Sequence, residues 1–559
     1  MLTRRDFAQW AMAAAALGGA PAALAQTRPP SFDSLIEFRP LGQVTLLHFA
    51  DCHAQLLPIY FREPSVNLGV GESKGLPPHI TGDAFLAAHR LTAGSAEAYA
   101  LADRDFARLA RAFGPIGGMD RMASAVKAIR AARPANTLLL DGGDTWQGSY
   151  TSLASKGEDM VEVMNLLGVD AMTGHWEFTY GEKRVEALIA KLKFPFLVQN
   201  VRETEFDEPV FKPYALFERG GVRLAVIGQG FPYTPIANPR HLIPKWSFGI
   251  REKELAATVA QARGEGAELV VLLSHNGFDV DRKLAARVPG IDVILTGHTH
   301  DALPVAVEVG RSLLIASGSH GKFLSRLDLE VRDKRIAAYR YRLIPLFADT
   351  VPSDDAMSDL IRRVRGPHER HLATPIGMTE SLLYRRGNFN GSFDDVICRA
   401  MLEQREAEIA LSPGFRWGNS LLPGQAVTAE DVYNQTAITY PNCYRREMTG
   451  AQLKEILEDV ADNLFNPDPY YQQGGDMVRT GGLGFVVDVG RPMGSRISDL
   501  TLLRTGQPLE AAKSYVVAGW ASIAEDTQGP PIWDVVQRHI LRAKTIRQDE
   551  NASIKVRGI

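Results

Sequence analysis

The chain has 559 residues, 45% of them hydrophobic and 23% charged, an ordinary globular composition with length for two or three domains. Its 62 basic and 65 acidic residues leave a formal charge of −3, so bulk charge excludes nucleic acid or an anionic membrane surface as the expected partner. The three cysteines, an odd number, argue against a disulfide framework.

The N-terminus reads as an address. Thr3-Arg4-Arg5-Asp6-Phe7-Ala8-Gln9 precedes an Ala-rich apolar run and then Ala23-Leu24-Ala25, a small-x-small cleavage site. Together they predict a twin-arginine export signal over residues 1–25 and a periplasmic protein. That pathway carries folded proteins, so a cofactor can be inserted before export. No later stretch is long and apolar enough to span a bilayer, and nothing in the chain calls for an obligate assembly; a monomer is expected.

From Gln43 the run Val44–Ala50 predicts a buried strand ending at Asp51-Cys52-His53. Residues 61–112 form a Gly/Pro-interrupted insertion followed by Ala-rich helical sequence. Within it Gly69-Val70-Gly71-Glu72-Ser73-Lys74-Gly75 lacks both the Gly-Lys-Ser/Thr ending and the leading strand of a phosphate loop. A helix over Met119 to Ala131 leads to a strand at Thr137–Leu140 and the box Asp141-Gly142-Gly143-Asp144. Val169-Asp170-Ala171-Met172 runs into Thr173-Gly174-His175-Trp176-Glu177-Phe178-Thr179-Tyr180-Gly181.

Further strands are predicted at Phe194–Val201, Val222–Ile227, Leu269–Leu273 before Ser274-His275-Asn276-Gly277, and Val293–Thr296 before Gly297-His298-Thr299-His300. Strands alternating with helices indicate an α/β domain, and the polar boxes sit at strand ends, where such sheets place ligands. Residues 348–373 read as a charged connecting helix, and a second α/β or α+β unit with loops at Gly414–Asn419 and Gly474–Arg479 follows.

Five of the 13 histidines lie in boxes that directly follow apolar strands. Asp51 and His53 are two apart, as are His298 and His300, and in extended backbone such residues face one way, so each pair can address one spot. With Asp144, His175 and His275 the set is two carboxylates and five imidazoles, enough for two metal ions if one carboxylate bridges. Nitrogen and oxygen without thiolate favour manganese, iron or zinc.

In this order, Asp-x-His, Gly-Gly-Asp, Gly-(Asn/His)-x-Glu, Ser-His-x-Gly and Gly-His-Thr-His resemble the calcineurin-like dimetal phosphoesterases. With its C-terminal half the chain looks like a member of the 5′-nucleotidase family. Within that family the export signal, Arg62-Glu63-Pro64-Ser65-Val66-Asn67-Leu68-Gly69, Asp141–Gly148 and Gly174–Phe178 are similar to the SoxB family, periplasmic thiosulfohydrolases of sulfur-oxidising bacteria.

The resemblance implies an N-terminal calcineurin-like metallophosphoesterase domain, a two-sheet αββα sandwich, over residues 40–347, a linker over 348–373, and a C-terminal 5′-nucleotidase-type α/β domain over 374–559. It implies one metal on Asp51, His53, Asp144 and His300, and a second on Asp144, His175, His275 and His298, with Asp144 bridging. For SoxB proteins the metals are two Mn²⁺, with zinc and iron as alternatives. Arg416 matches a nucleotidase loop that supplies a substrate-binding arginine, and Arg479 is a second candidate for substrate binding.

The informative departure is Trp176. Phosphoesterases of this family have a His there, paired with a following Asp as a catalytic dyad; here the positions hold Trp176 and Thr179. Trp176 is thereby expected at the catalytic site, lining a substrate pocket without a general acid. Loss of the acid is tolerable when the leaving group is a thiolate or persulfide.

The expected reaction is hydrolysis of a cysteine S-thiosulfonate on the C-terminal cysteine arm of the SoxYZ carrier, releasing sulfate. The alternatives are a periplasmic 5′-nucleotidase or cyclic-nucleotide phosphodiesterase on the same metals, and a metal-stabilised binding protein without turnover. Cys52, between two ligands, is expected to point away as a small buried hydrophobe.

Overall fold

A computed structural model describes residues 29–549 and 551–558, so the export signal at 1–25 lies outside the described residues. Two sheets stack in the first domain. One runs Arg335–Pro345, Phe323–Arg332, Val44–Phe49, Thr137–Asp141, Ala171–Met172; the other runs Val307–Val309, Ser312–Ala316, Val293–Thr296, Leu269–Ser274, Val222–Gln229, Tyr214–Arg219.

Side-chain alternation explains the layering. Val44, Leu46, Leu138 and Leu140 meet Leu224, Val226, Val271 and Leu295 between the sheets. Their neighbours Leu47, Phe49 and Leu139 face outward onto the helices Met119–Ala132 and Glu158–Leu167. Ile227, Val270, Leu272 and Ile294 do the same on the opposite side, under Glu252–Gly264 and Phe278–Arg287. The parallel central strands are apolar at most positions because both faces of the sheets are covered there. The result is the expected αββα sandwich.

Neighbouring strands that run parallel, Val44–Phe49 with Thr137–Asp141 and Leu269–Ser274 with Val293–Thr296, all release their loops at one edge. Ligand boxes from both sheets therefore converge across the sandwich. The strand predicted at Phe194–Val201 appears only as isolated bridges, Met172 to Phe196 and Leu197 to Lys212. Pro195 lacks the N–H that a regular ladder needs. The insertion contains the helices Gly82–His89, Ala96–Leu101 and Phe106–Phe113.

The predicted connecting helix is two helices, Asp355–Arg365 and Glu369–Leu372. Gly366-Pro367 separates them, because a proline disfavours helical backbone before it and removes a donor. Met357, Leu360 and Ile361 dock on the first domain's core, while Arg365 makes a two-pronged ion pair with Glu430 of the second domain, at 2.5 and 3.0 Å.

The second domain is built on the sheet Tyr444–Thr449, Ser514–Gly519, Ile409–Gly414, Asp476–Gly481. The strand Ile409–Gly414 delivers the loop that begins at Phe415. All three cysteines are buried and free, Cys52 within the first domain's core as expected.

Leu139 is fully buried under the helices of the first sheet. Leu139→Ala should cost about 2–5 kcal/mol of unfolding free energy in a urea titration. A loss below about 1 kcal/mol would contradict the packing described.

Candidate metal centre

Two overlapping groups of ligand atoms lie at the converging strand ends: Asp51, His53, Asp144 and His300, and Asp144, His175, His275 and His298, with all ligand atoms in each within 4.8 Å of one another. These are the two sets that the family resemblance implies, and Asp144 is common to both. His53 Nε2 and His300 Nε2 face each other at 3.0 Å, His275 Nε2 lies 3.1 Å from Asp144 Oδ2, and His300 Nε2 lies 3.4 Å from Asp51 Oδ1. His175 turns Nδ1 to the Asp144 carboxylate at 3.1 Å.

The backbone differs from the extended form that the two-residue spacing implied. Asp51, His53, Asp144, His298 and His300 all have positive φ, between 47° and 75°. Asp is among the side chains that adopt this region most readily, and clustered strain of this kind marks sites where surrounding structure dictates the backbone. The turn splits one expected pair: Asp51 and His53 do address one group, but His298 and His300 go to different ones.

Groups behind the ligands fix which nitrogen is presented. His275 Nδ1 meets the Gly142 carbonyl at 2.6 Å and His53 Nδ1 meets the Gln147 carbonyl at 3.2 Å, which leaves each Nε2 for the centre. Glu177, fully buried, accepts from the backbone N–H groups of Thr145, Trp146 and His175 at 2.6, 3.1 and 2.7 Å, and so ties two ligand loops together.

Burial raises the carboxyl of Asp144, but His175 and His275 overcome it and hold the group well below the usual carboxylate range. Burial drives Asp51 the other way, well above that range, against the pull of His275. His275, opposed by burial but drawn by Asp144 and Asp51, is lifted to about 10. Burial drives His53 down to about 4 and takes His175, His298 and His300 below the usual imidazole range, so these four stand neutral with a lone pair to offer, as metal ligation requires.

Among the described residues the donor chemistry fits two divalent metals: five imidazoles and two carboxylates, no thiolate, with His298 Nε2 buried and without a hydrogen-bond partner. A Cβ on Gly474 would come within 1.8 Å of that nitrogen, so only glycine lets this second-domain loop approach.

The second domain completes the site. Arg416 donates from Nε to Asp476 Oδ1 at 3.2 Å and from Nη2 to the Gly475 carbonyl at 2.5 Å, and its Nη1 has no partner among the described residues. It lines a narrow cleft with His298, Thr299, Asn276 and Gly474. Arg479 is elsewhere. Expected at a substrate-facing loop, it sits inside the strand Asp476–Gly481, 1% exposed, bonded to Asp394, Asp476 and the carbonyls of Arg385 and Gly387. Its side chain braces Asp476, which in turn aims Arg416.

Trp176 is 6% exposed and donates its backbone N–H to Asp144 Oδ1 at 2.8 Å. Its indole crosses into the second domain's aromatic cluster, edge-on to Phe415 at 5.6 Å and to Trp417 at 5.3 Å. The Thr179 hydroxyl meets that of Thr439 at 2.5 Å. No acid stands at either position.

Sequence reasoning missed several participants. Arg386 joins Asp476 at 3.4 Å to the carbonyl of Thr299, between two ligands, at 2.9 Å. His320 accepts from the N–H of Gly418 at 3.2 Å and pins the Arg416 loop to the first domain. Arg386 lies in no strand-end box; His320 does, four residues past the strand Ser312–Ala316, but that strand is not among those predicted from the sequence.

A family model described as 5′-nucleotidase, C-terminal domain, matches residues 375–537. The 5′-nucleotidase of Rattus norvegicus is 27% identical over 454 residues, covering 72% of this chain and 76% of the relative. A 5′-nucleotidase precursor of Thermus thermophilus has the same fold, with a TM-score of 0.73 at 21% identity over 92% of this chain and all of that one. The sulfate thiohydrolase SoxB of Thermus thermophilus, solved with glycerol, superposes with a TM-score of 0.90 at 38% identity, covering 94% of this chain and 98% of that one.

Fold and site thus define a two-domain, metal-dependent hydrolase of the 5′-nucleotidase class. Within that class the chain belongs to the SoxB family.

Removing the shared carboxylate should empty both positions. Purified Asp144→Ala is expected to carry less than one metal per chain by mass spectrometry of the eluted metals, His53→Ala about one, and the unaltered chain about two. Equal occupancy in the two variants would refute the bridging role.

Proposed function

We propose that this protein is a dimanganese thiosulfohydrolase that releases sulfate from a cysteine S-thiosulfonate on the C-terminal arm of a SoxYZ-type carrier, acting as a monomer in the periplasm after twin-arginine export. The likeness to SoxB supports the reaction class. The observation that carries the choice of leaving group is Trp176 and Thr179 at the positions of the family's His and Asp. No helix of the described residues is long and apolar enough to cross a membrane.

Two divalent cations, when bound, supply Lewis acidity: they make water a nucleophile at neutral pH and offset the charge on the sulfonate. The chain's own groups do the rest. Arg416 presents Nη1 beside His298 in the cleft, where a planar guanidinium suits a sulfonate oxygen. Asp476, held by Arg386 and Arg479, keeps that guanidinium oriented. Trp176 bars bulk water from the face of Asp144 that its N–H touches.

A nucleotide fits this site poorly. A base needs open aromatic faces, but Phe415 and Trp417 stack on each other at 4.0 Å and 20°. The pair is further blocked edge-on by Trp176.

Manganese-loaded protein given both a nucleoside monophosphate and a carrier peptide bearing cysteine S-thiosulfonate should release sulfate and little phosphate. Rapid phosphate release without sulfate would sink the proposal. The double change Trp176→His with Thr179→Asp should leave phosphoesterase turnover flat or raise it, since it restores an acid. Arg416→Lys, which keeps charge but loses the fork, is expected to lower kcat/KM for the thiosulfonate by about 10- to 100-fold.

A further inference from the structure

The reaction proposed above sends a negatively charged sulfur away from a site without an acid. Besides Arg416 Nη1, a second buried donor beside the metal ligands has no acceptor among the described residues: the indole N–H of Trp417. Trp417 is 2% exposed, and its ring lies 4.0 Å from Phe415, 5.3 Å from Trp176 and 5.4 Å from the ligand His53. Burying an indole N–H without an acceptor costs about 1–3 kcal/mol, and buried tryptophans usually find a partner.

The same aromatic cluster contains the contrasting case. Trp520, edge-on to Phe415 at 5.6 Å, donates its N–H to Ser412 Oγ at 2.8 Å. Trp146 also has a free N–H, but it packs in the first domain's core against Phe196 at 6.0 Å. Trp417 combines an unpaired donor with contact to a ligand.

It cannot easily swing away either. The next residue, Gly418, is bonded to His320, and Ser420 N–H donates to the Tyr60 carbonyl at 2.6 Å. Arg416 and Trp417 are consecutive, and each keeps one donor unused: Arg416 beside His298 of one ligand group, Trp417 beside His53 of the other.

We propose that Trp417 is a catalytic residue whose indole N–H donates a hydrogen bond to the departing sulfur. The inference rests on the thiosulfohydrolase reading. The step is R–S–SO₃⁻ + H₂O → R–S⁻ + SO₄²⁻ + 2 H⁺, with R–S⁻ a persulfide when the substrate is a thiosulfonate. The S–S bond breaks with its electron pair going to the carrier-side sulfur, a water oxygen bonds to the sulfonate sulfur, and both water protons leave to solvent. The indole keeps its own proton; it acts as a fixed dipole where charge develops. Aromatic edges also suit a polarisable sulfur.

Trp417→Phe keeps an aromatic ring against Phe415 and removes the N–H. The test uses the full-length, manganese-loaded chain and one cysteine peptide in two forms, S-sulfonate and S-thiosulfonate. Their leaving groups differ in basicity, the thiolate being the poorer. Sulfate release by Trp417→Phe should fall about 10- to 100-fold in kcat with little change in KM. The fall should be larger for the S-sulfonate, while metal content stays unchanged and Trp520→Phe keeps the parent rates. Unchanged kcat, equal losses on both peptides, or a loss that tracks lost metal would each overturn the inference. If the parent chain releases sulfate from neither peptide, the thiosulfohydrolase reading itself falls, and this inference with it.

Discussion

Everything at this site hangs on one buried carboxylate. Asp144 is almost without solvent, and an isolated carboxylate there would cost several kcal/mol. It is offset by His175 and His275 at 3.1 Å, by the Trp176 N–H at 2.8 Å, and by its membership of both ligand groups. Its position requires the left-handed turn after the strand Thr137–Asp141, and that turn is held by Glu177 from the next loop along the sheet. The centre and the polypeptide thus stabilise each other. The ligand loops have strained backbone that the αββα core, rather than local preference, keeps in place.

The second constraint is the junction between domains. Trp176 leaves the first domain as a neighbour of Asp144 and ends in the hydrophobic core of the second. His320, Tyr60 and Thr179 bond to Gly418, Ser420 and Thr439 across the same boundary. Because the loop 415–420 carries both Arg416 and Trp417, these contacts set the distance of their two unpaired donors from the ligands. A slip of about 1 Å in such a geometry is enough to spoil positioning.

The ligands were legible in the sequence because chemistry and period coincide there. Each sits a few residues past an apolar strand, and strands with both faces covered give the strongest local signal. The same runs indicated an α/β domain, while its two-sheet layer order came from the family resemblance. Long-range pairing had no such signature. Arg479 looked like a loop arginine because Gly474-Gly475 precedes it, yet it belongs to a strand whose partner, Ile409–Gly414, is 62 or more residues earlier. Arg386 is ordinary in local context, and His320 follows the strand Ser312–Ala316, which was not predicted; both acquire meaning only where the second domain packs against the first. The Phe194–Val201 segment shows the converse: apolar and β-rich, it reads as a strand, but Pro195 limits it to bridges.

The aromatic wall and the missing acid belong together on energetic grounds. An alkoxide leaving group has a conjugate acid near the pKa of water, about 15.7, and a thiolate one near 8.5, a gap of about 7 units or roughly 10 kcal/mol. A positioned general acid contributes about 10² to 10⁴-fold, roughly 3–5 kcal/mol. The sulfur's intrinsic advantage therefore exceeds what the lost dyad would have supplied. With the acid dispensable, its place can go to an indole that fills space against Phe415 and Trp417. That exchange does more than tolerate a sulfur substrate. Water and protons are scarcer beside three aromatic rings, so an alkoxide would be left there without a proton donor, whereas a weakly basic, polarisable sulfur is at home. On the proposed reading, selection at this site acts on the chemistry of the group that leaves as much as on the shape of the group that binds.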